Sequence, residues 1–220
     1  MRGLKRLMTG CGALLGAIVS LSGALAGSPA ESRLAAITPV FAQLVMFSLP
    51  PEFKSQKPTY VKSSGSFYIR QQVPEGETLG KWSRMLTLSG TRGLVGNPNA
   101  TPQALLARMS ADFQRHCPDT FSTEAPGTQK VDGYDAYEVI VSCGRVQSGK
   151  ESYSESAVML TVKGSSDYYT LQWTERGRDS AQAQPIDVAY WTKQLARLDP
   201  IRLCPIVPGE GAPYSSCARR

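Results

Sequence analysis

Any chemistry in this chain would have to come from a short roster of side chains. The one histidine, His116, stands directly before Cys117, and a cysteine beside a histidine is the raw material of an activated thiolate. Catalytic partners usually come together from distant positions, however, and this cysteine is better placed to be oxidised. A single histidine also excludes the multi-histidine zinc and iron sites. Asp132, Asp135 and Glu138 lie close in sequence and raise the question of paired-carboxylate acid–base work. Asp135 and Glu138 are three apart on a strand and so point to opposite faces, which predicts a solvated turn and strand edge instead. No nucleophile-elbow serine, phosphate loop or dinucleotide-binding pattern is present, since Gly90 to Gly96 has the glycines without the helix they require. The residues therefore assign no catalytic side chain, cofactor or metal ligand.

The cysteines carry more information. Leu7 to Leu25 is apolar and rich in small residues, follows Arg2, Lys5 and Arg6, and ends at Ala24-Leu25-Ala26, the layout of a signal peptide cleaved after Ala26. An uncleaved anchor is the competing account, and a second possible cut follows Val40-Phe41-Ala42. Lipidation at Cys11 is set aside because that cysteine precedes most of the apolar run. Loss of the leader leaves Cys117, Cys143, Cys204 and Cys217, an even count that reads as two disulfides in an exported chain. Four cysteines allow three connectivities; sequence proximity favours Cys117 with Cys143 and Cys204 with Cys217. A four-thiolate metal site is the alternative, but no pair has the close spacing of structural zinc. The expected location is periplasmic or secreted.

The net charge of +6 suggests nucleic acid only until the leader is removed, after which about +3 remains. Arg145, Lys150, Lys163, Arg176 and Arg178 are scattered near strand ends and read as solubility, so no nucleic-acid partner is expected. Tyrosines crowd one region: Tyr134, Tyr137, Tyr153, Tyr168 and Tyr169. Of these Tyr134, Tyr137 and Tyr168, together with Trp82, form the candidate binding face, with half-buried packing as the competing account.

These residues must be positioned by a sheet. Three alternating runs, Ala136 to Cys143, Glu155 to Lys163 and Tyr168 to Glu175, predict an antiparallel meander with one buried face. Asp132-Gly133 makes the turn into it, after a short strand from Thr128 to Val131 and a turn at Pro126-Gly127. Upstream, strands are expected at Gln43 to Leu49, Ser66 to Val73 and Arg84 to Ser89, with loop from Lys54 to Ser64. Thr101-Pro102 starts a helix that Pro118 stops, with Leu105, Leu106, Met109 and Phe113 on one face. A second helix runs from Pro185 to Leu198 with Val188, Trp191, Leu195 and Leu198 inward. The expected organisation is a signal peptide at 1–26, a flexible leader at 27–42, an α+β domain at 43–199 and an irregular, disulfide-closed extension at 200–220.

The order of elements in Ser66 to Ser89, Thr101 to Cys117, Tyr134 to Arg176 and Pro185 to Leu198 resembles the PsbP-like fold, which also includes the DcrB periplasmic proteins and a Ran-binding nuclear family. The resemblance implies an antiparallel sheet covered by two helices, a three-layer α/β/α sandwich, and a non-catalytic accessory or binding role. It implies no functional residue, and the cysteine-closed tail departs from the pattern. Three functions follow as expectations: an exported monomer that binds an envelope protein or a small ligand, touching the membrane only through its signal segment; a hydrolase with a carboxylate site; or a secreted inhibitor. A hydrolase requires at least two polar side chains converging in a concave pocket with perturbed pKa values. An inhibitor requires a contiguous exposed apolar patch without one.

Overall fold

The computed structural model describes residues 34–53, 57–148 and 151–219. The predicted leader, with its cleavage at Ala26, lies outside the described residues. Strands β1 (Leu34–Val40) and β2 (Gln43–Leu49) form a hairpin, followed by a 3-10 turn at Pro51–Phe53. Strands β3 (Tyr60–Ser64), β4 (Phe67–Gln72) and β5 (Arg84–Thr91) come next, then helix α1 (Pro102–His116). Strands β6 (Phe121–Val131), β7 (Tyr134–Ser148), β8 (Glu151–Lys163) and β9 (Tyr168–Gly177) form the meander. Helix α2 (Val188–Ala196), strand β10 (Arg202–Pro205) and the short helix α3 (Ser215–Ala218) complete the chain. The class is α+β with antiparallel pairing throughout, in a seven-stranded sheet of order β3-β4-β5-β9-β8-β7-β6 and a three-stranded sheet of order β1-β2-β10.

Local chemistry explains most boundaries. Thr101 Oγ1 accepts a hydrogen bond from the Ala104 amide at 3.0 Å, and proline opens α1 where its missing donor costs nothing. Asp132 and Gly133 both adopt positive φ, +49° and +84°, the geometry of a tight two-residue hairpin turn. Helix α2 begins later than its proline suggested, because Asp187 Oδ1 caps it by accepting from the Tyr190 amide at 3.0 Å. The turn expected at Pro126-Gly127 is a bulge between Glu124 and Gly127 within one long edge strand, since an edge tolerates a residue without a donor. Tyr60 to Ser64, expected as loop, pairs with β4 as the other edge strand.

The second sheet overturns the expected ends of the domain. Leu34 to Val40, assigned to a flexible leader, pairs with β2 along its length, and Arg202 to Pro205, assigned to an irregular extension, pairs with the other edge of β2. Both ends of the described chain are therefore part of the domain, and a cut after Ala42 would remove a strand. Every residue of β2 is buried because it is central in its sheet and covered on both faces. Val45, Phe47 and Leu49 join the main core, while Leu44 and Met46 pack with Ile37, Tyr214 and the Cys204–Cys217 disulfide. The hairpin tip is admitted by Gly90, where a Cβ would stand 2.5 Å from Val40 Cγ1 and 3.2 Å from Phe41 Cε2.

At β7 and β8 the large sheet buries both of its faces, not one. Ala136, Ile140, Val158, Leu160, Leu171 and Trp173 meet the small sheet and Trp191 and Leu195 of α2. Val139, Val141, Ala157 and Met159 meet Leu106, Met109 and Phe113 of α1. The alternation of apolar and polar residues thus hid a run apolar on both sides in the middle strands, as expected of strands covered above and below. Arg70, buried on β4, ties the sheets together by donating to Thr38 Oγ1 at 2.6 Å.

Candidate functional site

One helix is narrower than seven strands. Strands lie about 4.8 Å apart and a helix is about 10–12 Å across, and α1 packs mainly against β6, β7 and β8. The same face of β4, β5 and β9 is left open as a groove of about 610 Å³ beside the helix. Its floor is built by alternate residues: Phe67, Ile69 and Gln71 of β4, Met85, Thr87, Ser89 and Thr91 of β5, and Thr170, Gln172 and Thr174 of β9. Leu105, Arg108, Met109 and Asp112 of α1 make one wall, and Leu79 and Trp82 the lip. Floor hydroxyls and amides partly bond to one another, Thr170 Oγ1 with Thr161 Oγ1 at 2.7 Å and Gln172 Nε2 to Thr174 Oγ1 at 2.8 Å. The groove therefore mixes apolar side chains, Phe67, Ile69 and Met85 on the floor and Leu105 and Met109 on the wall, with neutral hydroxyls and amides on the floor and the charged Arg108 and Asp112 on the wall, a lining that suits an organic molecule.

Its end is closed by a side chain read from sequence as a solubility residue. The Arg176 guanidinium lies 3.8 Å from the Trp82 ring centroid and 3.9 Å from that of Tyr153. Its Nε donates to Glu155 Oε2 at 3.0 Å. Arg176 and Trp82 also line a second cavity of about 640 Å³, formed with the Gly76–Ser83 loop and Glu151 to Tyr153, so the stacked side chains are the partition between two cavities. A third, smaller cleft of about 300 Å³ lies on the far flank of α1, lined by Ser110, Phe121, Tyr137 and Val139.

The four aromatics of the candidate binding face do not gather. Trp82, 8% exposed, reaches the groove. Tyr137 lines the smaller cleft across α1. Tyr168, 1% exposed, donates its hydroxyl to the Ala100 carbonyl under the segment entering α1. Tyr134 packs against the main core on the opposite face, its hydroxyl accepting from Gln43 Nε2 at 3.1 Å.

The acids do not converge either. Asp135 is exposed and held below the usual carboxylate range by its hydrogen bond to Lys130. Asp132 accepts from the Leu203 amide at 3.2 Å and so fastens β10. Glu138, expected at a solvated edge, is 4% exposed under α2, where burial raises its pKa against the opposing hydrogen bonds from Gln129 and Thr192. Its position follows from the alternation that puts Ala136 and Ile140 in the core, with α2 closing over that face. Cys117 is bonded to Cys143 and Cys204 to Cys217, which consumes the thiol of the His116-Cys117 pair. The two disulfides are consistent with folding in an oxidising compartment.

Sequence reasoning missed the groove. Its signal is the polar half of β5 and β9, Thr87-Ser89-Thr91 and Thr170-Gln172-Thr174, which alternation alone assigns to bulk water. The chain matches no model of a known protein family and no curated protein.

Proposed function

We propose that this chain is an exported, non-catalytic binding protein, periplasmic or secreted, a monomer with a PsbP-like layout, that holds a small organic ligand in the groove between α1 and strands β4, β5 and β9. The observation that carries the proposal is the pre-formed cavity of about 610 Å³ in which the apolar side chains of Phe67, Ile69, Met85, Leu105 and Met109 stand beside the hydroxyls and amides of threonine, serine and glutamine side chains. The hydrolase alternative asked for converging polar side chains with perturbed pKa values; the polar floor of the groove is threonine, serine and glutamine, which do not titrate, and the buried carboxyl with the raised pKa, Glu138, faces α2 on the other side of the sheet. The inhibitor alternative asked for an apolar patch in place of a cavity. The leader and the two disulfides support export.

A neutral, environment-sensitive reporter, N-phenyl-1-naphthylamine, tests the groove. Titrated into the oxidised protein it should bind saturably with one site per chain. Ser89→Phe, which fills the floor, should abolish that signal while the melting temperature stays within a few degrees. Non-saturable binding, or a Ser89→Phe titration that superimposes on the parent's, would sink the proposal.

A further inference from the structure

Arg176 is held in a way that solubility does not require. Its guanidinium lies over two rings, at 3.8 Å from the Trp82 centroid and 3.9 Å from that of Tyr153. Glu155 takes the Nε–H, and the side chain keeps only 20% of its exposure. What remains is the outer edge, two Nη groups with four N–H donors that meet no protein acceptor among the described residues. Arg176 lines both the groove and the neighbouring cavity. A planar fork stripped of rotamer freedom and left with parallel donors matches two oxygens about a carboxylate's width apart.

Of the other charges at the groove, both acids are already engaged, and Arg108 adds to the same positive field. Asp112 is already paired with Arg115, and Glu155 with Arg176 itself. Arg108 on α1 is exposed and lines the groove without an ion pair among the described residues. The charge left to a ligand is therefore positive, at one end of a channel walled by Leu79, Met85, Leu105 and Met109. Resting on the groove as the ligand site, we infer that its occupant is an amphipathic monocarboxylate, with an aliphatic or aromatic body along α1 and its carboxylate on the Nη edge of Arg176. Trp82 and Tyr153 are positioning residues: their rings hold the fork in place.

Matched probes separate the two claims. Decanoate, decanol and decyl phosphate are each used to displace N-phenyl-1-naphthylamine from the oxidised protein. Decanoate should bind at least tenfold tighter than decanol and no weaker than decyl phosphate. Arg176→Met should bring decanoate down to the affinity of decanol and leave decanol unchanged. Because that change strands the Glu155 carboxylate, the double variant Glu155→Gln with Arg176→Met is measured beside it and should behave the same with an unchanged melting temperature. Arg176→Lys, which keeps the charge and loses the fork, should recover less than half of the tenfold preference. Equal affinity for decanoate and decanol in the parent overturns the inference and leaves the groove standing; so does a preference that survives in both methionine variants. Tighter binding of decyl phosphate overturns the carboxylate class. Displacement by none of the three refutes the groove.

Discussion

Helix α1 is fastened mainly at its ends, and removing one fastening should show it. Along its length only Leu106 is fully buried, and cavities of about 610 and 300 Å³ flank it. At its start stand the Thr101 cap and the bond from the Tyr168 hydroxyl to Ala100; at its end Cys117 is joined to Cys143 on β7. That disulfide closes a loop of 26 residues, for which chain entropy predicts about 3.5 kcal/mol of stabilisation. The 13-residue loop of Cys204–Cys217 predicts about 3 kcal/mol by the same relation. Against a total of about 5–15 kcal/mol for a domain, either loss is large. Replacing Cys117 and Cys143 together by alanine should lower the urea midpoint by roughly 1.7 M, taking an m-value of about 2 kcal/mol/M. Hydrogen exchange should distinguish the two bridges, because α1 amides should lose protection ahead of β8 and β9 only when the first is removed. A midpoint shift below about 0.5 M, or α1 amides that exchange no faster than those of β8, would refute the end-fastened helix. Reporter binding should fall in the same variant, since α1 is a wall of the groove.

Two further substitutions test the packing and the buried acid. At Gly144 a Cβ would stand 2.3 Å from the Gln182 carbonyl oxygen and 3.1 Å from that of Ser180, and backbone cannot step aside as a side chain can; Gly144→Ala should cost about 2 kcal/mol or more, and an unchanged melting temperature contradicts this. Burial raises the Glu138 carboxyl above its usual range, so the folded protein holds that proton more tightly than the unfolded chain. The resulting stability is fully present below the ordinary glutamate value and is lost as pH rises through the folded value. Glu138→Gln, which cannot ionise, should gain stability relative to the parent on going from about pH 4 to about pH 8. Urea midpoints across that range measure it, and a difference that does not vary with pH refutes the buried, reluctant carboxylate.

Features set by neighbours in the chain are legible in the amino-acid sequence alone. Thr101-Pro102 and Pro118 bound α1, Asp132-Gly133 turns the hairpin, period-two alternation marks β7 to β9, and proximity pairs the four cysteines as the disulfides join them. Each depends on interactions within a few residues or on short loops, where local sterics and hydrogen bonding decide. What required the tertiary structure is what depends on distant partners. Leu34 to Val40 and Arg202 to Pro205 are weak strand signals that become strands because β2 lies between them and supplies both ladders. Alternation says that a strand has two faces but not what covers each, so Glu138 was expected in water and lies under α2. Thr87 and Gln172 likewise line a cavity where open solvent was expected. The stacked Arg176 joins Trp82, Tyr153 and Glu155 from the β5 approach and β8. Such a contact leaves no spacing in the chain, because only the lateral order of the strands brings those side chains within reach.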